Sequence, residues 1–182
     1  GKIISIFYKK SKIVWFMSRT QQEVYLEKFP FLNNTQVLSS VFTDETLNII
    51  ESFNNDKNQK WIILDSKSWI KGRQESIEYA KKEGLDYELV WGLEYYSLLD
   101  KLSSSKGLVY LPPGGDTCPR LVIEAKLLGC ELIINDNVQH KNEDWFVSPE
   151  SIMTYLRKRK NIFWSTVEQI WNLNTPNLES DG

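Results

Sequence analysis

The sequence contains few residues of the kinds that build metal centres and disulfides. Among its 182 residues there are two cysteines and one histidine. Cys118 and Cys130 fall on one predicted helical segment, and the helix between them would hold the two thiols too far apart for a disulfide. The single histidine, His140, cannot complete a metal site with them, and we expect it at the surface or at a loop end. We therefore expect reduced thiols, a cytoplasmic protein and no metal ion.

The chain also lacks an excess of charge of one sign, and it lacks a long apolar run. Twenty-two basic and 24 acidic residues give a formal net charge of −2. This balance gives no reason to expect a nucleic acid as a partner. The apolar runs are all shorter than the roughly 18 residues that a membrane-spanning helix needs. We expect at most peripheral contact with a membrane surface.

What the sequence does contain is a regular alternation of strand-like and helix-like segments. Short apolar runs predict strands at residues 13–17, 37–40, 61–65, 87–91, 107–111 and 131–135. Amphipathic or polar stretches predict helices at residues 19–28, 44–53, 73–83, 94–104, 119–128, 149–159 and 161–172.

This alternation predicts an α/β fold with a Rossmann-like parallel sheet and helices on both faces. We assign residues 36–175 to this domain, residues 1–35 to a remnant of a preceding domain, and residues 176–182 to a tail. Ligands of such sheets bind beyond the carboxyl ends of the strands. The predicted binding edge therefore consists of the loops at residues 65–72, 91–94, 112–118 and 135–142.

The stretch GLVYLPPGGDTCPRLVIEAKLLGCELIIND, residues 107–136, breaks a strand with two prolines and two glycines. Pro112 and Pro113 end the strand, because proline has no N–H for the sheet. Gly114 and Gly115 remove side chains from the turn, which lets a ligand approach the backbone. We therefore count both glycines among the candidate substrate-binding residues.

The helix that follows this turn begins in a way that suits an anion. Thr117 or Cys118 is expected to cap it, with Pro119 in the first helical position. The helix start would present free N–H groups and a partial positive charge to the binding edge. A phosphate group fits such a position, so Thr117 is a candidate substrate-binding residue.

Two acids, Asp116 and Glu124, flank the start of this helix. Because a carboxylate repels phosphate, we expect both to accept hydrogen bonds from sugar hydroxyls. A structural alternative has Asp116 as a loop or capping residue and Glu124 as a surface partner of Arg120 or Lys126. Arg120 is itself a candidate ligand of phosphate. The residues alone leave these interpretations open.

A second loop, SKSWIKG at residues 66–72, follows the first long apolar strand. Lys67 and Lys71 lie at a predicted strand end, and Gly72 permits a sharp turn. Cations at this position face a diphosphate across the crevice from the helix start. The alternative is that both lysines are simply solvated.

Together these features resemble the C-terminal, donor-binding half of the retaining GT-B glycosyltransferases of the group 1, family 4-like type. In that family the loop after the first strand of this half ends in Lys-Gly, as Lys71 and Gly72 do here. Its acidic signature is Glu, seven residues, Glu, and Asp116 and Glu124 have the same spacing. The second acid, Glu124, begins the family's E-A-x-x-x-G pattern, which continues with Ala125 and ends at Gly129. The resemblance covers residues from about 36 to 145.

The resemblance implies transfer of a sugar from a nucleotide-diphosphate sugar to a hydroxyl of a glycan or other acceptor, with retained configuration. The donor is a substrate, so no cofactor is implied. Lys71 would bind the diphosphate and Asp116 the donor sugar, and these two are the candidate catalytic residues. Glu124 would bind the ribose hydroxyls, and Gly92 would lie near the base. Asn135, Asn137 and Gln139 are further candidates for hydrogen bonds to a sugar.

The sequence departs from the family pattern in three ways. Asp116 is one methylene shorter than the usual glutamate. The family's arginine before Lys-Gly is missing, and Lys67 is the nearest cation. A complete GT-B enzyme also has an N-terminal domain that holds the acceptor, and the resemblance implies this domain as a missing partner.

The alternative function is a non-catalytic, nucleotide-binding Rossmann-like module within a larger assembly. The aromatic segment with Phe163 and Trp171 either packs towards a partner domain or covers this domain's own core.

Overall fold

Parallel strands and helices alternate along the chain in the computed structural model, which describes residues 2–172. The strands are β1 (Val14–Phe16), β2 (Thr35–Val37), β3 (Trp61–Leu64), β4 (Tyr87–Val90), β5 (Gly107–Tyr110) and β6 (Glu131–Ile134). The helices are α1 (Lys2–Lys10), α2 (Arg19–Lys28), α3 (Asp44–Ser52), α4 (Arg73–Lys82), α5 (Tyr95–Ser103), α6 (Arg120–Leu127) and α7 (Pro149–Asn172).

The strands form two parallel sheets. The larger sheet has the order β4-β3-β5-β6, and β1 pairs with β2 in a separate two-stranded sheet. The predicted α/β fold with a Rossmann-like parallel sheet is therefore confirmed. The expected domain boundary between residues 35 and 36 falls inside β2. The expected tail, residues 176–182, lies outside the described residues.

Helices cover both faces of the larger sheet. Side chains of a strand alternate between the two faces. Ile62 and Leu108 point into the larger core cluster, where α3, α5, α6 and α7 bury their apolar residues. Ile63 and Val109 point the other way and pack against Ala80 of α4. The continuous apolar runs of β3 and β5 result from this double burial.

The end of the chain forms one helix rather than the two that the sequence predicts. α7 runs without interruption for 24 residues. The predicted break near residue 160 is wrong, because that part of the sequence contains only polar residues and no proline or glycine to end a helix. Ile152 and Leu156, near the start of α7, are buried in the larger core cluster.

The second half of α7 leaves the core and lies against the small sheet. The ring of Phe163 packs against that of Trp15 on β1, with 5.0 Å between the ring centroids. Trp164 and Trp171 remain 54 % and 71 % exposed. Phe163 thus packs against the chain's own small sheet, whereas the two tryptophans remain largely exposed.

Two features near the start of the chain differ from the sequence-based prediction. The structure contains α1, which the sequence pattern did not predict. β2 ends at Val37 instead of covering residues 37–40, because its partner β1 ends at Phe16, which pairs with Val37.

Within residues 2–172, every helix is too short or too polar to cross a membrane.

Candidate functional site

The strand order of the larger sheet reverses between β3 and β5. From β3 the chain moves outward to β4, and from β5 it moves outward in the opposite direction to β6. In open α/β sheets a ligand crevice lies at such a switch point, beyond the carboxyl ends of the strands. The two loops that flank this crevice hold Lys71 and Asp116, so the topology brings the two predicted catalytic residues to the same edge.

Gly72 fixes the end of the loop after β3. Residues Trp69–Lys71 form one 3₁₀ turn, and Gly72 has a φ of 65°, in the left-handed region. A Cβ at this position would collide with the backbone of Leu111, at the end of β5. The glycine is therefore required both by its backbone conformation and by close packing of the two loops. This contact brings the turn that holds Lys71 against the loop after β5.

Lys71 and Asp116 are bonded to each other across the crevice. Lys71 Nζ donates to Asp116 Oδ2 at 2.8 Å. The hydroxyl of Tyr110, the last residue of β5, donates to the same oxygen at 2.6 Å. The phenol of Tyr110 is 1 % exposed, and burial is the main reason that its pKa is raised. The carboxylate of Asp116 is thus fixed by one buried donor and one half-exposed cation.

The backbone of Asp116 is also tied down. Its N–H donates to the carbonyl of Asn137 at 2.8 Å, and its carbonyl accepts from the N–H of Gln139 at 3.1 Å. The side-chain amides of Asn135 and Asn137 donate to the carbonyl of Pro112 at 2.9 and 2.8 Å. The two asparagines that were candidates for a sugar therefore brace the loop that holds Asp116.

The two glycines before Asp116 leave room for neighbouring side chains. A Cβ on Gly114 would lie 3.1 Å from Ile70 Cδ1, and one on Gly115 would lie 2.7 Å from Gln139 Nε2. Gln139 in turn accepts a hydrogen bond of 2.8 Å from the hydroxyl of Ser18. The glycines allow neighbouring loops to pack closely, which explains their presence without a ligand.

The start of α6 is open, although not in the predicted way. Pro119 is the residue that precedes the helix, and within the described part of the chain no side chain caps the free N–H groups. The expectation that Thr117 or Cys118 caps this helix is wrong, because Pro119 takes the capping position and its ring offers no acceptor. Thr117 is half-buried beside it. The uncapped N–H groups retain their partial positive charge at the crevice.

Glu124 is a buried acid, 3 % exposed, on the second turn of α6. Its Oε1 accepts from the hydroxyl of Tyr95 at 2.9 Å and from Arg120 Nη2 at 3.2 Å. Burial raises the pKa of Glu124, and the bonds from Tyr95 and Arg120 oppose that effect. Arg120 is its ion-pair partner, as the structural alternative proposes, but the acid is buried rather than on the surface.

An open cleft of about 540 Å³ lies in front of Glu124. Its lining combines apolar side chains with one acid and one cation: Thr46, Leu64, Tyr95, Leu98, Arg120, Leu121 and Glu124. The guanidinium of Arg120 lies 4.4 Å from the centroid of the Phe42 ring and 5.9 Å from that of Tyr95. Stacking on two rings and pairing with Glu124 hold Arg120 in one orientation.

The two acids of the predicted signature have different surroundings. Glu124 lines the cleft together with Arg120, whereas neither Asp116 nor Lys71 is part of that lining. Asp116 lies instead between Lys71 and Tyr110. The seven-residue interval therefore separates one acid at the strand ends from one acid deep beside the cleft.

Lys67 and Gly92 are at the margin of this arrangement. Lys67 is exposed, and among residues 2–172 it makes no ion pair. Gly92 has a φ of 68°, and none of the residues from 2 to 172 comes close to the position where a Cβ would be. Its backbone conformation alone accounts for the glycine.

His140 lies in the loop after β6, as one of the two predicted alternatives has it, but it is not at the surface. It is fully buried, at 0 % exposure, and stacks on Trp145 with 5.4 Å between the ring centroids. Neither ring nitrogen has a hydrogen-bond partner among residues 2–172. Burial lowers the pKa of His140 to about 4, so the ring is neutral near pH 7.

Sequence reasoning missed the aromatic residues that hold the two acids. Tyr110 fixes Asp116, Tyr95 fixes Glu124, and Phe42 supports Arg120. One signal was available for Tyr110, because a tyrosine in a strand that is buried on both faces needs a partner for its hydroxyl. The sequence contained no comparable signal for Phe42, which lies far from α6 along the chain.

No curated protein is significantly similar in sequence to this chain, and no family model matches it. Within residues 2–172, no group of three His, Cys, Asp or Glu side chains is placed to hold a metal ion. The candidate site is therefore defined by its own geometry: a cation and an acid at the switch point, an open helix start, and a cleft with a buried acid.

Proposed function

We propose that this chain binds a nucleotide-diphosphate sugar and forms the donor-binding part of a retaining glycosyltransferase. The observation that carries the proposal is the meeting of Lys71 and Asp116 at the switch point of the sheet. The uncapped start of α6 and the cleft beside Glu124 adjoin the same strand ends. This edge of the sheet therefore offers protein groups of suitable chemistry to each part of the donor: the diphosphate, the sugar and the nucleoside.

In the proposed reaction the bond between the anomeric carbon and the diphosphate oxygen breaks. The oxygen of the acceptor hydroxyl forms a new bond to that carbon, and its proton passes to the departing diphosphate. The negative charge that develops on the departing diphosphate needs stabilisation. Lys71 and the N–H groups of α6 supply it, with Arg120 as a further cation of the cleft. Glu124 accepts hydrogen bonds from the ribose hydroxyls, and Asp116 orients the donor sugar.

The acceptor half is proposed to dock on the face formed by α1 and the end of α7. Ile3 and Phe7 of α1 are 72 % and 70 % exposed, as is Trp171 of α7 at 71 %. The segment that follows α1 and the end of α7 line one groove, through Lys12, Ile13 and Trp171. Exposed apolar side chains beside such a groove are typical of a surface that contacts another protein unit. The two cysteines are free thiols, which agrees with a reducing compartment, and we propose a cytoplasmic location.

Calorimetry and donor depletion test the proposal. We expect the 182-residue chain to bind at least one of UDP-glucose, GDP-mannose and ADP-glucose. Lys71→Ala and Glu124→Ala should each weaken binding by about tenfold or more, since each removes a charged contact. Lys81→Ala, on the exposed last turn of α4, is the matched control and should leave affinity unchanged.

The outcomes separate the two candidate functions. Binding together with depletion of the donor in the presence of an acceptor supports the glycosyltransferase. Binding without depletion supports a nucleotide-binding module. If Lys71→Ala and Glu124→Ala both retain wild-type affinity, the crevice is not the binding site.

A further inference from the structure

One carboxylate oxygen connects the predicted phosphate-binding cation to the hydrophobic core. Oδ2 of Asp116 accepts from Lys71 at 2.8 Å and from Tyr110 at 2.6 Å. The three residues come from two loops and one strand end that meet at the switch point. A diphosphate that binds Lys71 must therefore compete with Asp116 for it.

The two donors differ in how firmly they are held. Tyr110 is 1 % exposed and belongs to the larger core cluster, so its hydroxyl has a fixed position. The side chain of Lys71 is 34 % exposed, compared with 13 % for Asp116. A lysine ammonium on a flexible stem can also be redirected more easily than a carboxylate on a short, largely buried side chain. Of the three groups, Lys71 is the one that is able to move.

We propose that Asp116 is a latch that restrains Lys71, and that Tyr110 is a positioning residue that keeps Asp116 in place when a diphosphate takes Lys71 away. The inference rests on the proposed function, because it concerns the binding of the donor's diphosphate. When Lys71 leaves, the carboxylate keeps one short, charge-assisted hydrogen bond, from Tyr110. Without that bond, release of Lys71 would leave a largely buried carboxylate unpaired, which is costly.

The latch predicts that removal of the acid improves binding of a bare diphosphate. Calorimetry with pyrophosphate, UDP, GDP and ADP measures this on the 182-residue chain. We expect Asp116→Asn to bind at least one of them about fivefold more tightly than the wild type, the effect of an ion pair worth about 1 kcal/mol. Lys71→Met should bind more weakly. Thermal unfolding of each variant checks that it is folded.

A double-mutant cycle separates the latch from simple repulsion between Asp116 and the ligand. In the Lys71→Met background, the latch predicts that Asp116→Asn gives no gain in affinity, because there is no lysine to release. Repulsion predicts that the gain persists. A persistent gain overturns the latch.

A second cycle tests the positioning role of Tyr110. We expect Tyr110→Phe to weaken diphosphate binding about threefold in the wild type, because among residues 2–172 the carboxylate then has Lys71 as its one remaining donor. In the Asp116→Asn background the same change should have no effect. A purely structural role for Tyr110 predicts the same factor in both backgrounds, and that result overturns the positioning role.

Labelling with acetic anhydride tests the latch without a ligand. Mass spectrometry compares acetylation of Lys71 with that of exposed Lys67, which serves as an internal reference in the same loop. Asp116→Asn should raise the ratio severalfold, and an unchanged ratio overturns the latch.

If the ratio rises but neither the wild type nor Asp116→Asn binds any diphosphate, the restraint on Lys71 is supported and the proposed function is not. If diphosphate binds but the affinity of Asp116→Asn equals that of the wild type, the proposed function stands and the latch does not.

Discussion

The hydroxyl of Tyr95 donates a 2.9 Å hydrogen bond to Oε1 of Glu124 and so joins α5 to α6 at the wall of the cleft. Arg120 donates to the same oxygen from the solvent side. The acid is buried, yet it keeps a cation and a phenol as partners. This combination places a carboxylate next to an open cleft while limiting the cost of removing it from water.

The raised pKa of Glu124 predicts a pH-dependent stability difference. Because the pKa is raised in the folded state, mainly by burial, the folded protein binds more protons than the unfolded chain above the ordinary value of 4.5. Glu124 therefore makes the wild type less stable as the pH rises from 4.5. Glu124→Gln lacks this loss, so the difference in free energy of unfolding, variant minus wild type, should increase with pH. Urea titrations between pH 4 and 8 measure it.

The control for this experiment removes the same charge elsewhere. Glu83→Gln lies on the exposed C-terminal end of α4, away from the cleft. Its ion pair with Lys82, at 3.7 Å, is exposed to solvent, so this variant reports mainly the effect of net charge. A pH-dependent difference of the same size in both variants would mean that the environment of Glu124 is not responsible.

Gly72 and Gly84 form a matched pair for testing how closely the two loops pack. Both have positive φ angles, 65° and 63°. At Gly72 the backbone of Leu111 lies where a Cβ would be, whereas no atom of the described residues lies close to that position at Gly84. We expect Gly84→Ala to cost about 1 kcal/mol in free energy of unfolding and Gly72→Ala to cost several times more. Equal losses of stability in urea unfolding would contradict close packing of the Lys71 loop against the backbone of Leu111.

Much of the fold could be predicted from local pattern. The apolar runs of β3 and β5 are continuous, which is typical of parallel strands that are buried on both faces. The loops that hold Lys71 and Asp116 could also be placed at one edge, because the carboxyl ends of parallel strands lie at the same edge of a sheet. Tyr110 illustrates what pattern does not provide. Its role depends on which face of β5 it occupies and on where the following loop returns, and both are results of tertiary packing.

His140 was misplaced for a related reason. Its neighbours in sequence are polar, which is typical of an exposed loop, yet Trp145 and Phe146 fold back over its ring. The single α7 is the opposite case, because helical pattern was present throughout and only the break was wrong. Contacts between distant segments decide burial, and local sequence cannot supply them.

The burial of His140 predicts a loss of stability in acid. Its pKa falls from 6.5 to about 4, mainly through burial, so the folded state binds fewer protons than the unfolded chain between these values. Stability should therefore decline as the pH falls from 6.5 to 4, by roughly 3 kcal/mol from this group. His140→Phe keeps a ring against Trp145 but cannot be protonated. Urea unfolding across this range should show a smaller decline in the variant, and identical declines would contradict a neutral, buried ring.

The continuity of α7 is tested by a proline at its middle. Asn161→Pro removes an N–H and places the proline ring against the carbonyl of Arg157, which should cost about 3 kcal/mol in free energy of unfolding. It should also separate Phe163 from Trp15, since that contact depends on a straight helix beyond residue 160. Asn161→Ala is the matched control; the site is exposed, so this variant should be as stable as the wild type. Urea unfolding followed by tryptophan fluorescence measures both effects. If two helices met near residue 160, the proline variant would unfold at the same urea concentration as the alanine variant.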